Sequence, residues 1–434
     1  MASLRKRKRS KRALYWIERR RKGKVAATRK PNIIIEDLPE CLLLQEIFSK
    51  LRNPRDFVAC KNVSKRWKSL ISSSSSSFHH NPSLALILNT QPQYATNDIC
   101  MEGWKGFELS KYVDPEFDPP VCVLASCKDV LLCMKSSSKE FYIVNPLTMQ
   151  WTRLPEPGFA TSGVPIGLIG NGTKGIYHVV RLMRCTRSWF RVFLFDSMIG
   201  TWIGSKVDHP PWSQSSWCPT QYQALVFKGA LHWLAEDGPV VAYNPNDRKT
   251  CLLIHRSHEM CHASYGGDAI VSEILTISMG HLRVLQLVAS VDHHHLLIWT
   301  LVDYKQSIWK QEHDPISFTG LPWLQDWTFS AQHNMSGFMA QPETRKRILS
   351  PQTLCCHPYN PLLVYFCLPE RIVSLDVATK KMHLITRLSK SNTDGVYWNQ
   401  YDKVIPMTMH LDPSLVPHHG NVLRPRRRKH AQIL

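Results

Sequence analysis

No uninterrupted apolar run in these 434 residues approaches the roughly 18–20 that a membrane-spanning helix needs. The apolar stretches are typically four to eight residues long, which favours strands over long helices. Spaced cysteine pairs are missing as well. The 13 cysteines include no C-x-x-C, and Cys355 and Cys356 are adjacent. Neither a spaced ligand pair nor the disulfide framework of a short secreted domain is therefore expected. The cysteines read as small buried hydrophobes in a reducing compartment.

Catalytic signatures are equally scarce. There is no G-x-S-x-G and no convincing pair of acids. The segment Gly170–Gly175 lacks P-loop spacing and no helix follows, so it reads as a hairpin turn. His293, His294 and His295 are tempting as metal ligands. Consecutive strand residues point to opposite faces, however, and only Asp292 stands beside them. A turn or solvated loop is the expectation. No catalytic residue, cofactor or metal site is expected, and no membrane partner.

Acidic residues are few, 34 against 54 Lys and Arg, for a net charge of +20. The excess is concentrated at the ends. Residues 1–30 carry fourteen bases and one acid, Glu18, and residues 424–429 add five bases. The remaining body holds only about +2, which argues against a charged groove running over it. The run Arg5, Lys6, Arg7, Lys8, Arg9, Lys11 and Arg12 repels itself and stays disordered until something acidic binds. It reads as a nuclear-import signal, a solvated tail or a nucleic-acid contact. The expected location is the nucleus, with the cytoplasm second. No apolar segment follows that would make a secretory signal.

What is present begins with a helical module. Asp37 can cap a helix whose first turn holds Pro39. Leu44, Ile47, Phe48 and Leu51 form one apolar stripe. Asn53-Pro54 ends this helix and starts a second, which carries Phe57, Cys60 and Val63 on one face. Ser64 can cap a third, with Trp67, Leu70 and Ile71. The run Ser72–Ser77 reads as a flexible linker. Three helices this short cannot close a sizeable core, so the unfilled stripe wants another surface.

These residues resemble an F-box. The resemblance rests on Leu38-Pro39, Leu42, Ile47-Phe48, Leu51, Phe57, Cys60, Val63 and Trp67, with Leu70-Ile71 after them. It implies docking to a Skp-type adaptor, and through it to a cullin, by Leu38, Pro39, Leu42, Leu44, Ile47, Phe48, Leu51, Val63 and Trp67. Partner contact is expected above all for Leu38, Pro39 and Phe48. The step from Leu38-Pro39 to Ile47-Phe48 is one residue longer than in the usual F-box pattern. The first helix therefore starts a residue late or carries a small bulge.

Beyond the linker the chain is strand-like, with five imperfect copies of one hairpin. Each has an apolar strand, an Asn or Asp, a polar turn, and a Trp or other apolar residue six or seven positions on. The turn residues are Asn145, Asp196, Asn244, Asp303 and Asp376, spaced 51, 48, 59 and 73 apart. Their side chains can fold back on the backbone and hold the turn. Lys228-Gly229, Met279-Gly280 and Lys128-Asp129 mark a further hairpin ahead of several copies, giving four strands per copy. Such a period indicates propeller blades. A further blade could pair the strand at 84–88 with one near 404–410, both chain ends meeting in one sheet. The phrases Gly229–Trp233 and Asn145-Pro146 with Trp151 resemble the F-box-associated and kelch-like domains of plant F-box proteins.

The expected fold is mainly β with a small α module. A three-helix F-box precedes a kelch-like β-propeller of six blades, or seven. The expected domains are a disordered basic tail over 1–32, the F-box over 33–78, the propeller over 84–412 and a basic tail over 413–434. The resemblance implies a non-catalytic substrate-recognition subunit of a Skp–cullin–F-box ubiquitin ligase, whose propeller binds an unknown target protein. Trp212 and Trp217, or Trp323 and Trp327, are candidate anchors for that target. The alternative is a nuclear nucleic-acid-associated scaffold acting through the basic tails.

Overall fold

Short-range turn chemistry decides much of this molecule, and it acts within residues 38–51, 54–73, 83–88, 98–101, 104–108, 121–135, 138–148, 150–157, 165–184, 188–211, 223–235, 238–249, 251–261, 269–289, 294–318, 352–368, 371–387, 404–409 and 416, which the computed structural model describes. The basic runs, Asp37, His293 and the tryptophans Trp212, Trp217, Trp323 and Trp327 lie outside them. No helix among the described residues is long and apolar enough to cross a membrane.

All five copies of the hairpin fold as their turn residues dictate. Asn145 Oδ1 accepts the N–H of Leu147 at 2.9 Å, and Asp196 Oδ1 that of Met198 at 2.9 Å. Asn244, Asp303 and Asp376 do the same for Asn246, Lys305 and Ala378 at 2.9, 2.8 and 2.9 Å. The residue that follows the turn then returns to the sheet. Trp202 packs on Phe195 and on Phe141 of the neighbouring sheet, and its Nε1 donates to Pro155 O at 2.9 Å. The second hairpins are two-residue turns. Lys228 and Gly229 have φ of 46° and 76°, Met279 and Gly280 of 50° and 71°, the doubly positive pattern that suits right-twisted strands.

Among the described residues these hairpins build six antiparallel sheets, five of four strands and one of five. In chain order the strands are β1–β3 (Ser83–Leu88, Asp98–Met101, Trp104–Glu108), then β4–β7 (Val121–Cys127, Val130–Lys135, Phe141–Asn145, Gln150–Arg153). Next come β8–β11 (Ile166–Asn171, Ile176–Arg184, Trp189–Asp196, Thr201–Asp208) and β12–β15 (Leu225–Phe227, Ala230–Leu234, Val240–Tyr243, Cys251–Ile254). After them stand β16–β19 (Ala269–Ser278, His281–Ala289, His294–Asp303, Ile308–Gln311), with β20 (Ile316–Ser317) added beside β18. The last are β21–β24 (Gln352–His357, Asn360–Leu368, Arg371–Asp376, Lys381–Arg387) and β25 (Val404–Met409).

Five blades are contiguous in the chain, rather than six or seven. The sixth sheet is composite. β25 pairs antiparallel with β1, from Ser83 opposite Met409 to Leu88 opposite Val404. The chain's two ends thus meet where their apolar strands suggested. The innermost strands touch in the order β25, β4, β8, β12, β16, β21 and back to β25, which closes the ring. Ser126 on β4 stitches this inner wall. Its Oγ donates to Pro406 O at 2.6 Å and accepts from Gln223 Nε2 at 3.1 Å.

Apolar cores fill the spaces between successive sheets. Val180, Leu194, Trp233 and Tyr243 share one such core, and Leu285, Phe318, Phe366 and Leu375 another. Strands buried on both faces, such as β14, are near-continuous apolar runs. The cysteines Cys127, Cys251 and Cys356 are part of these cores, and burial pushes their thiols up to about 11, 12 and 12.

Three expectations change. His294 and His295 belong to strand β18 rather than to a loop. Val416 is buried between the blades of β4–β7 and β8–β11, so the packed domain extends past residue 412. The helical module closes a core of its own from Leu43, Phe48, Phe57, Trp67, Leu70 and Ile71.

Candidate docking site

The module's second helix is Pro54–Lys61 and its third Lys65–Ser73. Ser64 caps the third, its Oγ accepting the Trp67 N–H at 3.2 Å. The first helical stretch changes pitch as it goes. It is α over Glu40–Leu42, π over Leu43–Ile47 and 3₁₀ over Phe48–Lys50. The additional residue in the Leu38-Pro39 to Ile47-Phe48 spacing is thus taken up as a bulge, not by a late start: Pro39 already stands at the N-cap.

Side chains that the sequence grouped together separate into two sets. Phe48 and Trp67 turn inward and meet edge to face with centroids 5.1 Å apart. They are 0% and 5% exposed, so Phe48, expected at the partner, packs in the module's core. Leu38, Leu44, Ile47 and Leu51 pack partly buried around that core. Pro39, Leu42 and Val63 face outward, Leu42 at 43% and Val63 at 55% exposure. Val63 does not share a helix face with Phe57 and Cys60. The second helix stops at Lys61, and Val63 sits in the turn after it. Arg66 ties the start of the third helix to the start of the first stretch. Its guanidinium donates to Leu38 O at 2.8 Å and stands 4.0 Å from Glu40. Pro39, Leu42 and Val63 are thus exposed on a module whose first and third helical segments Arg66 holds together.

The propeller presents two unlike rims. One carries the short Asx turns and the two-residue hairpins, because each sheet's first and third turns fall on the same end of its strands. The connections between sheets start and finish at the other end. The segments holding Trp212 and Trp217, and Trp323 and Trp327, join strands there but lie outside the described residues. Among the described residues no group of three or more His, Cys, Asp and Glu could hold a metal ion.

Two family matches divide the chain as the geometry does. Residues 35–83 match an F-box-like domain. Residues 106–422, well over half the chain, match the β-propeller of F-box protein At3g26010-like proteins. The chain belongs to this F-box propeller family. An F-box implies binding of a Skp-type adaptor, and an F-box joined to a propeller suggests a substrate receptor. No curated protein matches the chain. Among solved structures it is similar to Citrobacter koseri AztD, at 9% identity over 75% of this chain and 98% of that one, TM-score 0.30. It is also similar to an endo-arabinase from Bacteroides thetaiotaomicron, at 10% identity over 51% and 73% of the two chains, TM-score 0.27. Likeness at this level says nothing of the F-box protein's site or activity.

Proposed function

We propose that this F-box protein is a non-catalytic substrate-recognition subunit of a Skp–cullin–F-box ubiquitin ligase. The observation that carries the proposal is a module that fills its own core yet keeps Pro39, Leu42 and Val63 exposed, its first and third helical segments tied together by Arg66. Covering a Leu or Val at an interface is worth about 1.5–3 kcal/mol before ordering costs. The propeller then holds a target protein near a charged conjugating enzyme, and proximity supplies the effective concentration of target lysines. Residues from Arg5 to Arg12 serve nuclear import in this reading, so deleting residues 1–30 moves the protein out of the nucleus without affecting adaptor binding.

Affinity purification of the full chain, with cullin neddylation inhibited, tests the assignment. It should recover a Skp-type adaptor and a cullin together with a protein that accumulates under inhibition. Recovery of nucleic acid in place of a cullin, lost in a variant without residues 1–30 and 424–434, would favour the scaffold alternative.

A further inference from the structure

The Phe48 N–H at the end of the π turn is shared between the Leu44 carbonyl, its α-helical partner, and the Leu43 carbonyl one residue further back. The bond to Leu43 spans residues 44–47, one more than an α-helical bond spans. The wider turn has a packing consequence. On an α-helix, residues five apart point about 140° away from each other. Leu43 and Phe48 could not both face one core at that pitch. Across the π turn they can, and both are fully buried. The surplus is displaced to the outside: Leu44 is half-buried, and Gln45 and Glu46 are exposed. Lys50 holds Glu46 at 2.6 Å, so the bulged surface is itself braced.

The core does not require this arrangement. Remove one residue from the turn and Leu43 and Phe48 stand four apart, which shares a face on an ordinary α-helix. The same two side chains would be buried with regular hydrogen bonding. The module instead keeps a rare turn beside Leu42, and single π turns within helices are frequent at functional sites.

We propose that the π turn Leu43–Ile47 is a specificity element for the Skp-type adaptor, its outer surface from Leu44 to Glu46 contacting that adaptor beside Pro39 and Leu42. The inference rests on the docking assignment above. It makes Gln45 and Glu46 contact residues, although neither belongs to the apolar pattern by which the module was recognised.

The test uses the full chain in three forms: wild type, a variant lacking Gln45, and a Gln45→Lys/Glu46→Lys variant. Each is titrated with a purified Skp-type adaptor, and thermal unfolding is followed in parallel. The deletion should keep or raise the unfolding midpoint, since it regularises the helix, while adaptor binding weakens about tenfold or more. The charge-reversed form, with its backbone unaltered, should also bind more weakly. A deletion variant that folds and binds like wild type would overturn the inference. Should the deletion unfold the module, wild-type affinity in the charge-reversed form overturns it instead. Wild-type protein that binds no Skp-type adaptor would remove the docking assignment, and this inference with it.

Discussion

Phe48 and Leu42 belong to the same short helical stretch, yet one is enclosed and the other faces out. Truncating them should have opposite signatures. Phe48→Ala empties the module's core and should cost about 3–5 kcal/mol, more than so small a unit can spare. Limited proteolysis of the full chain should then cut within 38–73, whereas Leu42→Ala should leave the module resistant. Periodicity in the sequence marked an apolar face but could not say which side of it a partner would take. His232 shows the same gap between pattern and environment. It is fully buried on β13, where its Nδ1–H faces Ala230 O at 3.2 Å and its Nε2 accepts the Tyr304 hydroxyl at 2.8 Å. Burial holds its pKa down to about 4, so the fold favours the neutral ring. The stability this confers is present above the ordinary histidine range and is lost as pH falls from about 6.5 towards 4. Unfolding free energy measured from pH 7 to pH 4 should fall more steeply in wild type than in His232→Leu, and parallel curves would contradict the assignment.

At the scale of elements, legibility follows the range of the interaction. The five Asx turns were readable because Asn or Asp acts on residues two or three positions away. The lengthened spacing before Ile47 left a late start or a bulge open, and the structure takes the bulge, the added residue being expelled between two core anchors. Close contact between sheets left no such trace. Gly167 on β8 has room for no side chain: a Cβ there would lie 2.7 Å from Ala224 Cβ and 2.8 Å from a Leu231 methyl group. Gly229 faces open space and is constrained only by its φ of 76°. Alanine at Gly229 should therefore cost about 1 kcal/mol, and at Gly167 about 2–3 kcal/mol, because β8 must move off its neighbouring sheet. Denaturant midpoints would separate the two, and equal losses would contradict the close packing of these sheets.

For the whole molecule, the closure of the ring depends on the strand farthest from the rest in sequence. β25 completes the sheet begun by β1, and it also touches β4 and β21. A chain ending at residue 403 loses that pairing and the Pro406 carbonyl that Ser126 uses. Its propeller should unfold over a broad, poorly cooperative transition, with amide protection lost at β1 and β4. A sharp transition at the wild-type midpoint would show that the ring does not depend on β25. The meeting of the two ends was legible because each carries a short apolar strand left over from the five hairpin copies between them. The target was not, since the connections that would select it follow no turn or core rule.

The account stands or falls on whether the outward face of the F-box, and not its core, takes the adaptor. The measurement is the dissociation constant between the full chain and a purified Skp-type adaptor, for wild type and for Leu42→Asp/Val63→Asp. Both substituted positions are exposed, so folding should be unaffected while binding weakens at least about a hundredfold, two desolvated apolar contacts being exchanged for charges. Equal affinity of the two folded proteins would contradict the account.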